Sequence, residues 1–156
     1  MAHAIELTPD FAEQLQAVHS AAFPPHDAWG RDAFRDLLAQ PTTRARGIVE
    51  SGHLMAFIVV QFVAEDAEIL TLATRPNERR RGLAGKVLSQ LQQELQVQGL
   101  KKILLDVAED NLGARAFYVR HGFQVDGRRP NYYKRLEGQR IDAILMSKAV
   151  GGQIHP

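Results

Sequence analysis

Three consecutive arginines at residues 79–81, followed by Gly82, form the stretch of this sequence best suited to hold an anion. An apolar, partly β-branched run at residues 68–74 precedes them and predicts a buried strand. Apolar residues at helical spacing follow them: Leu83, Val87, Leu88, Leu91 and Leu95. The first turn of such a helix attracts anions, Gly82 allows a ligand close to the backbone, and arginine supplies forked donors. The spacing predicts a pyrophosphate-binding turn at residues 79–84.

Two other interpretations compete for this turn. Three arginines at the start of a helix are often only a solvated helix entrance. A nucleotide P-loop is a poor match, because residues 82–87 have the wrong glycine spacing and lack the Ser or Thr that would hold magnesium.

Asp106 places a carboxylate inside an otherwise apolar run, residues 101–107, that predicts a strand covered on both faces. Because side chains alternate along a strand, Asp106 shares a face with Leu104 and Ala108. A carboxylate in that position can accept a proton from an amine as a general base. The alternative is a strand-end aspartate satisfied by backbone donors or by arginine.

Asn111 and Tyr118 lie seven residues apart, which places them on one helix face, two turns from each other. A tyrosine in a helix is usually a packing residue whose hydroxyl reaches water. The chain has no cysteine, so no thiol can carry a covalent intermediate. Its six histidines show no metal-ligand spacing, and we expect no metal site.

The segments that must position these residues alternate between the 3.6-residue period of a helix and the two-residue period of a strand. The sequence predicts helices ending near residue 22, over 29–40, from 83 to Gly99 and from 111 to 121, and strands over 4–7, 47–50, 54–64, 67–74, 101–107, 123–125, 132–136 and 142–148. The strand–helix–strand unit from 67 to 107 predicts a parallel pair, and the shorter connections predict antiparallel hairpins.

Length and composition restrict the class of protein. A chain of 156 residues with 45% hydrophobic content predicts one domain, residues 1–150, with a flexible tail at 151–156. The net charge of +1 gives no global attraction to DNA or membrane. No apolar run approaches the ~20 residues that span a bilayer, and no secretory signal is present, so we expect a cytoplasmic protein.

The pattern Arg-x-x-Gly-x-Ala between a strand and a helix resembles the acetyl-CoA signature of the GNAT superfamily of N-acetyltransferases. The segment from Asn111 to Phe123 resembles the helix of that family whose tyrosine faces the coenzyme sulfur. The resemblance covers about residues 45–148. It implies an α/β (α+β) fold with a mixed, mostly antiparallel sheet that splays between its two central parallel strands and is flanked by helices.

The resemblance also implies the site. Asp106 would be the base, acting through water because it is shorter than the glutamate common in relatives, and Tyr118 would donate a proton to the leaving thiolate. Acetyl-CoA would be the co-substrate, lying in the gap between the splayed strands. Its contacts would be Leu72, Ala73, Thr74, Arg79, Arg80, Arg81, Gly82, Leu83, Ala84, Asn111 and Tyr118.

Asn131-Tyr132-Tyr133-Lys134-Arg135 with residues 142–146 downstream resembles a narrower branch, the N-terminal α-amino acetyltransferases of the RimI type. In that branch paired tyrosines line the slot for the acceptor's first residues, which implies that Tyr132 and Tyr133 bind the acceptor together with Asp106. A β-hairpin with stacked tyrosines is the structural alternative.

These observations predict direct transfer of acetyl from acetyl-CoA to the α-amino group of a protein N-terminus, Ala or Ser, with a ribosomal protein as candidate partner. One alternative is a GNAT enzyme that acetylates a small amine or a protein lysine. Another is a non-catalytic module that binds CoA, or that binds RNA through arginines 79–81, 128 and 129 and the two tyrosines. Near-neutral net charge argues against RNA.

Overall fold

The computed structural model describes residues 3–151, apart from the side chain of His26. Seven strands follow one another as β1 Ala4–Glu6, β2 Thr43–Glu50, β3 His53–Val63, β4 Asp66–Thr74, β5 Lys102–Ala108, β6 Gln124–Lys134 and β7 Arg140–Ala149. The α-helices are α1 Ala12–Ala22, α2 Arg31–Leu38, α3 Leu83–Val97 and α4 Leu112–Arg120. The predicted flexible tail lies outside the described residues except for Gly151.

All strands join one sheet in the order β1-β2-β3-β4-β5-β7-β6. Only β4 and β5 are parallel among the described pairs, as the strand–helix–strand unit predicts. Helix α3, with Tyr118 of α4, packs on one face, and α1 with α2 packs on the other. Strand β3 lies between both layers, and its residues 56–60 are fully buried. The predicted mixed, mostly antiparallel sheet flanked by helices is confirmed.

The two parallel strands separate partway along their length. Their pairing consists of three residue pairs and ends at Glu68↔Leu104. Beyond that point β4 continues against β3, and β5 continues against β7. The register of β4 also shifts by one residue, since Val59 pairs with Thr71 and Val60 with Ile69, which leaves Leu70 as a β-bulge. The splayed gap predicted from the family resemblance is confirmed.

Two strand predictions need correction. Strand β2 begins at Thr43, four residues earlier than predicted. Strand β6 is continuous over eleven residues, where the sequence predicts separate strands at 123–125 and 132–136. Because β6 is an edge strand, Pro130 needs no ladder partner on its outer side, and register shifts at residues 125–127 and 129–133 absorb the irregular residues.

Candidate active site

A cavity of about 1620 Å³ opens where β4 and β5 part. Its walls are residues 69–74 of β4, residues 105–108 of β5, the start of α3, one face of α4 and the connection between α1 and α2. Pockets for a single small molecule are usually about 300–1,000 Å³. The cavity therefore has room for parts of two substrates at once.

The arginine–glycine turn forms one end of this cavity. Gly82 is the N-cap of α3 with φ +74°, and glycine has no side chain that could cap the helix. Arg80 also has a left-handed backbone, with φ +72°. The first helical bond of α3 is donated by the Lys86 N–H to the Gly82 carbonyl at 3.0 Å, so the N–H groups before it have no acceptor within the helix. This end of the cavity suits an anion such as a pyrophosphate.

The three arginines of the turn do not all face the cavity. Arg79 and Arg80 line the cavity, as does Lys86, which the sequence analysis did not select. Arg81 instead binds both oxygens of Glu50, at 2.9 and 2.7 Å, and Glu78 at 2.7 Å. Its hydrogen bonds hold the pKa of the Glu50 carboxyl below its usual range. The Arg81 side chain thus connects the turn to the end of β2 and lies outside the cavity wall.

Helix α4 supplies Asn111 and Tyr118. The Asn111 side chain caps the helix by accepting the Ala114 N–H at 3.1 Å. Tyr118 is 7% exposed, lines the cavity, and packs its ring on Phe123 at 5.3 Å between centroids. Burial raises the pKa of its hydroxyl far above the usual value, so the hydroxyl stays protonated and able to donate. Packing and lining the cavity are thus combined in one residue.

Asp106 lines the cavity on the other face of the sheet from Tyr118. Its strand neighbours Leu105 and Val107 are buried in the core that contains Tyr118, and the Asp106 side chain keeps 22% of its surface exposed. An Arg129 guanidinium nitrogen lies 3.9 Å from its Oδ2. The Tyr133 hydroxyl donates to the Asp106 carbonyl at 3.5 Å.

The two tyrosines of β6 are not equivalent. Tyr133 lines the cavity, and burial raises the pKa of its hydroxyl to about 12. Tyr132 is 44% exposed, lies outside the cavity lining, and packs under the Arg129 guanidinium at 4.8 Å. The structure therefore brings only one of the two predicted acceptor-binding tyrosines to the cavity. The remaining predicted residues, Leu72, Ala73, Thr74, Leu83 and Ala84, all line it.

Sequence reasoning missed His19, a buried histidine of α1 that lines the cavity. Its ring stacks on Phe23 at 4.2 Å and on Trp29 at 5.1 Å, and its Nδ1 accepts the Trp29 N–H at 3.2 Å. Burial lowers the pKa of His19 to about 4, and the charge of Asp27 opposes that shift. The four-residue spacing of Leu15, His19 and Phe23 was the available signal, because it places the histidine on the apolar stripe of the helix.

Glu68 was also missed. It is the last residue of β4 that pairs with β5, and it lies on the same face as Leu104 and Asp106. Burial, and next the charge of Asp106, raise the pKa of its carboxyl. The gap between the strands thus begins beside Glu68, whose carboxyl is close enough to Asp106 to be affected by its charge.

Two features are absent from residues 3–151. No three His, Asp or Glu side chains converge there as metal ligands. No helix in that part of the chain is long and apolar enough to cross a membrane.

Comparison with known proteins adds independent evidence. Residues 10–123 match the model of the acetyltransferase (GNAT) family. A curated relative from Escherichia coli K12, named ribosomal protein bS18-alanine N-acetyltransferase, is 34% identical over 100 residues, which cover 64% of this chain and 67% of the relative. A relative of the same name from Haemophilus ducreyi is 32% identical over 98 residues, covering 63% and 68%.

Solved structures agree in fold. The ribosomal-protein-S18-alanine N-acetyltransferase of Escherichia coli superposes with a TM-score of 0.88 at 25% identity, covering 100% of this chain and 99% of that one. Arabidopsis thaliana NAA60 in complex with acetyl-CoA gives 0.84 at 19% identity, covering 96% and 99%. With the splayed parallel strands, the arginine–glycine turn and the cavity between them, these matches show that the chain belongs to the GNAT family and is an acetyl-CoA-dependent N-acetyltransferase.

Proposed function

We propose that this enzyme acetylates the α-amino group of a protein N-terminus that begins with a small residue such as Ala or Ser. One observation carries the proposal: Asp106 and the protonated Tyr118 line a single cavity from opposite faces of the splayed sheet. That arrangement supports an amine arriving on one face and a thioester arriving on the other. The names of the bacterial relatives support a ribosomal protein as the acceptor.

The residues of the cavity divide the chemistry among them. Acetyl-CoA, when bound, supplies the thioester carbon that the amine nitrogen attacks. The open N-terminus of α3 with Arg79 and Arg80 would hold the pyrophosphate, and β4 residues 72–74 with Asn111 would line the pantetheine path. Asp106, through water, would take the proton that the amine loses, and the Tyr118 hydroxyl would protonate the sulfur as the C–S bond breaks.

The acceptor's own pKa favours an N-terminus. An α-amino group with pKa near ~7.8 is about a quarter neutral at pH ~7.4, whereas a lysine near ~10.4 is only about a thousandth neutral. A carboxylate such as Asp106 is a weak base and is better matched to the first group. Tyr133 would bound the acceptor slot, and Tyr132 would join it only if its ring turned toward the cavity.

The test is competition within one peptide that carries a free N-terminal Ala and one internal lysine. Mass spectrometry should find the acetyl group on the α-amine many-fold faster than on the lysine. A peptide with the N-terminus of a bS18 protein and a matched peptide starting with a bulky residue test the preference for a small first residue. Faster modification of the lysine would replace this proposal with a lysine acetyltransferase and leave the enzyme class unchanged.

A further inference from the structure

Thr71 carries a buried hydroxyl that the proposed chemistry does not use. Its side chain is in the middle of β4, the residue is 6% exposed, and its Oγ1 has no hydrogen-bond partner in the part of the chain that the structure describes. Within residues 3–151, Thr43 Oγ1 and Gln92 Nε2 are also buried without a hydrogen-bond partner. Of these three residues, only Thr71 lines the cavity. A buried hydroxyl without a partner destabilises a fold, so one beside a substrate cavity calls for an explanation.

The bulge at Leu70 determines where this hydroxyl lies. Thr71 pairs with Val59, whose side chain is in the core between the sheet and helices α1 and α2. Leu70 packs on that same core, so two successive residues of β4 face one side of the sheet. Without the bulge, alternation would have turned Thr71 toward α3.

Thr71 and Asp106 consequently flank the gap on the same face. The last pair between the two strands is Glu68↔Leu104. Both side chains lie on the face of the sheet opposite α3, because their strand neighbours are in the core around α3. Asp106 is two residues beyond Leu104. Thr71 is three residues beyond Glu68, and the bulge absorbs one of them, so the hydroxyl and the carboxylate stand at the same level on opposite strands.

We propose that the Thr71 hydroxyl positions the acceptor amine for attack. Rotation about its Cα–Cβ bond exchanges the methyl and the hydroxyl of this β-branched side chain and turns the oxygen into the cavity. There the hydroxyl accepts a hydrogen bond from the amine N–H and donates a hydrogen bond to the water that Asp106 would hold. The single lone pair of the neutral amine nitrogen is then directed across the gap toward the thioester. This role applies whichever amine is the acceptor.

The test combines Thr71→Val, which keeps the shape and removes the hydroxyl, with Thr71→Ser, which keeps the hydroxyl. Thr71→Val should lower kcat/KM for the acceptor by about 10- to 100-fold, as expected for a lost hydrogen bond to a reacting group, with acetyl-CoA affinity unchanged. Its free energy of unfolding should equal or exceed that of the wild type, because an unpartnered buried hydroxyl is gone. Thr71→Ser should stay within a few-fold of wild-type activity.

Thr43→Val is the matched control, since it removes a second unpartnered hydroxyl from a strand that does not border the cavity. Thr43→Val should change the free energy of unfolding in the same direction as Thr71→Val and leave kcat/KM unaltered. Wild-type kcat/KM in Thr71→Val would overturn the proposal, as would a Thr71→Ser enzyme as slow as Thr71→Val. If Thr71→Val fails to fold, Thr71→Ala replaces it, and the same comparison with Thr71→Ser decides.

Discussion

Single residues in this site do more than one thing, and Tyr118 is the clearest example. Its ring belongs to the core beneath α3, while one edge of the residue reaches the cavity. The burial that fixes the ring also keeps the hydroxyl protonated. Packing and proton donation therefore depend on the same low-dielectric surroundings.

Replacing Tyr118 by Phe separates these two contributions. Because the ring and its packing remain, stability and acetyl-CoA affinity should change little. Loss of the donor should lower the rate of acetyl transfer by about 10- to 10³-fold. Single-turnover kinetics are the right measurement, since they exclude product release. An unchanged single-turnover rate would make Tyr118 a packing residue only.

Protonation of His19 should make the free energy of unfolding depend on pH. Its folded pKa of about 4 lies below the ordinary 6.5, so the unfolded chain binds the proton more readily. Its contribution is fully present above pH 6.5 and is lost as pH falls toward 4, by no more than about 3 kcal/mol. Urea unfolding of wild type and of His19→Phe should be measured across that pH range. The free energy of unfolding should change less steeply with pH in the variant. The raised pKa of Glu68 acts in the opposite direction, so only the difference between the two proteins isolates His19.

At the scale of the element, α3 is held to β2 at both ends. Near its start, Arg81 binds Glu50 at the end of the strand. Near its other end, Glu94 accepts two bonds from Arg46, at 2.8 and 2.6 Å, in a paired geometry that is half-buried. These two contacts restrain the helix along its axis. The anion-binding end of α3 is thereby fixed relative to the sheet.

Two glycines at opposite ends of α3 allow a controlled test of the turn. Gly82 has φ +74° and Gly99 has φ +84°, and a Cβ would meet nothing within 4 Å at either. Asp at either position should therefore cause similar backbone strain. Gly82→Asp adds a negative charge where the pyrophosphate is proposed to bind, and should weaken acetyl-CoA binding at least 10-fold, whereas Gly99→Asp should not. Calorimetry on both folded variants measures their affinity for acetyl-CoA. Equal affinities would mean that the pyrophosphate site is not at this turn.

For the whole molecule, the important feature is a sheet interrupted at its centre. Strands β1 to β4 form one half with α1 and α2, and β5, β6 and β7 form the other. Three residue pairs of β4 and β5 and the core around α3 connect the halves, together with the ion pairs Lys101–Glu65 and Arg135–Asp27. A ligand that fills the gap contacts both halves and should stabilise the molecule through binding alone.

Amide hydrogen exchange should show how a bound ligand connects the two halves of the sheet. Without ligand, amides of residues 70–74 that face the gap should exchange faster than those of the continuous ladder between β5 and β7. Saturating acetyl-CoA should slow the first group and leave the second nearly unchanged, and it should raise Tm with ligand concentration. Uniform protection of every strand would indicate that acetyl-CoA acts only by global stabilisation.

The sequence by itself determined the parts of this enzyme that depend on neighbours in the chain. The turn at residues 79–84 is local, because a strand, a glycine and a helix start within a few residues suffice to define it. The face of Asp106 follows from the two-residue period of a strand, and the alignment of Asn111 with Tyr118 follows from the 3.6-residue period of a helix.

The tertiary structure alone decided how those parts are used. The end of the β4–β5 pairing, the capture of Arg81 by Glu50 and the exclusion of Tyr132 from the cavity depend on residues far apart in the chain. The unpartnered hydroxyl of Thr71 depends on a bulge that exists only in the register with β3. A local pattern records the period of an element, whereas pairing register, burial and ion partners are set by whichever distant segment packs against it.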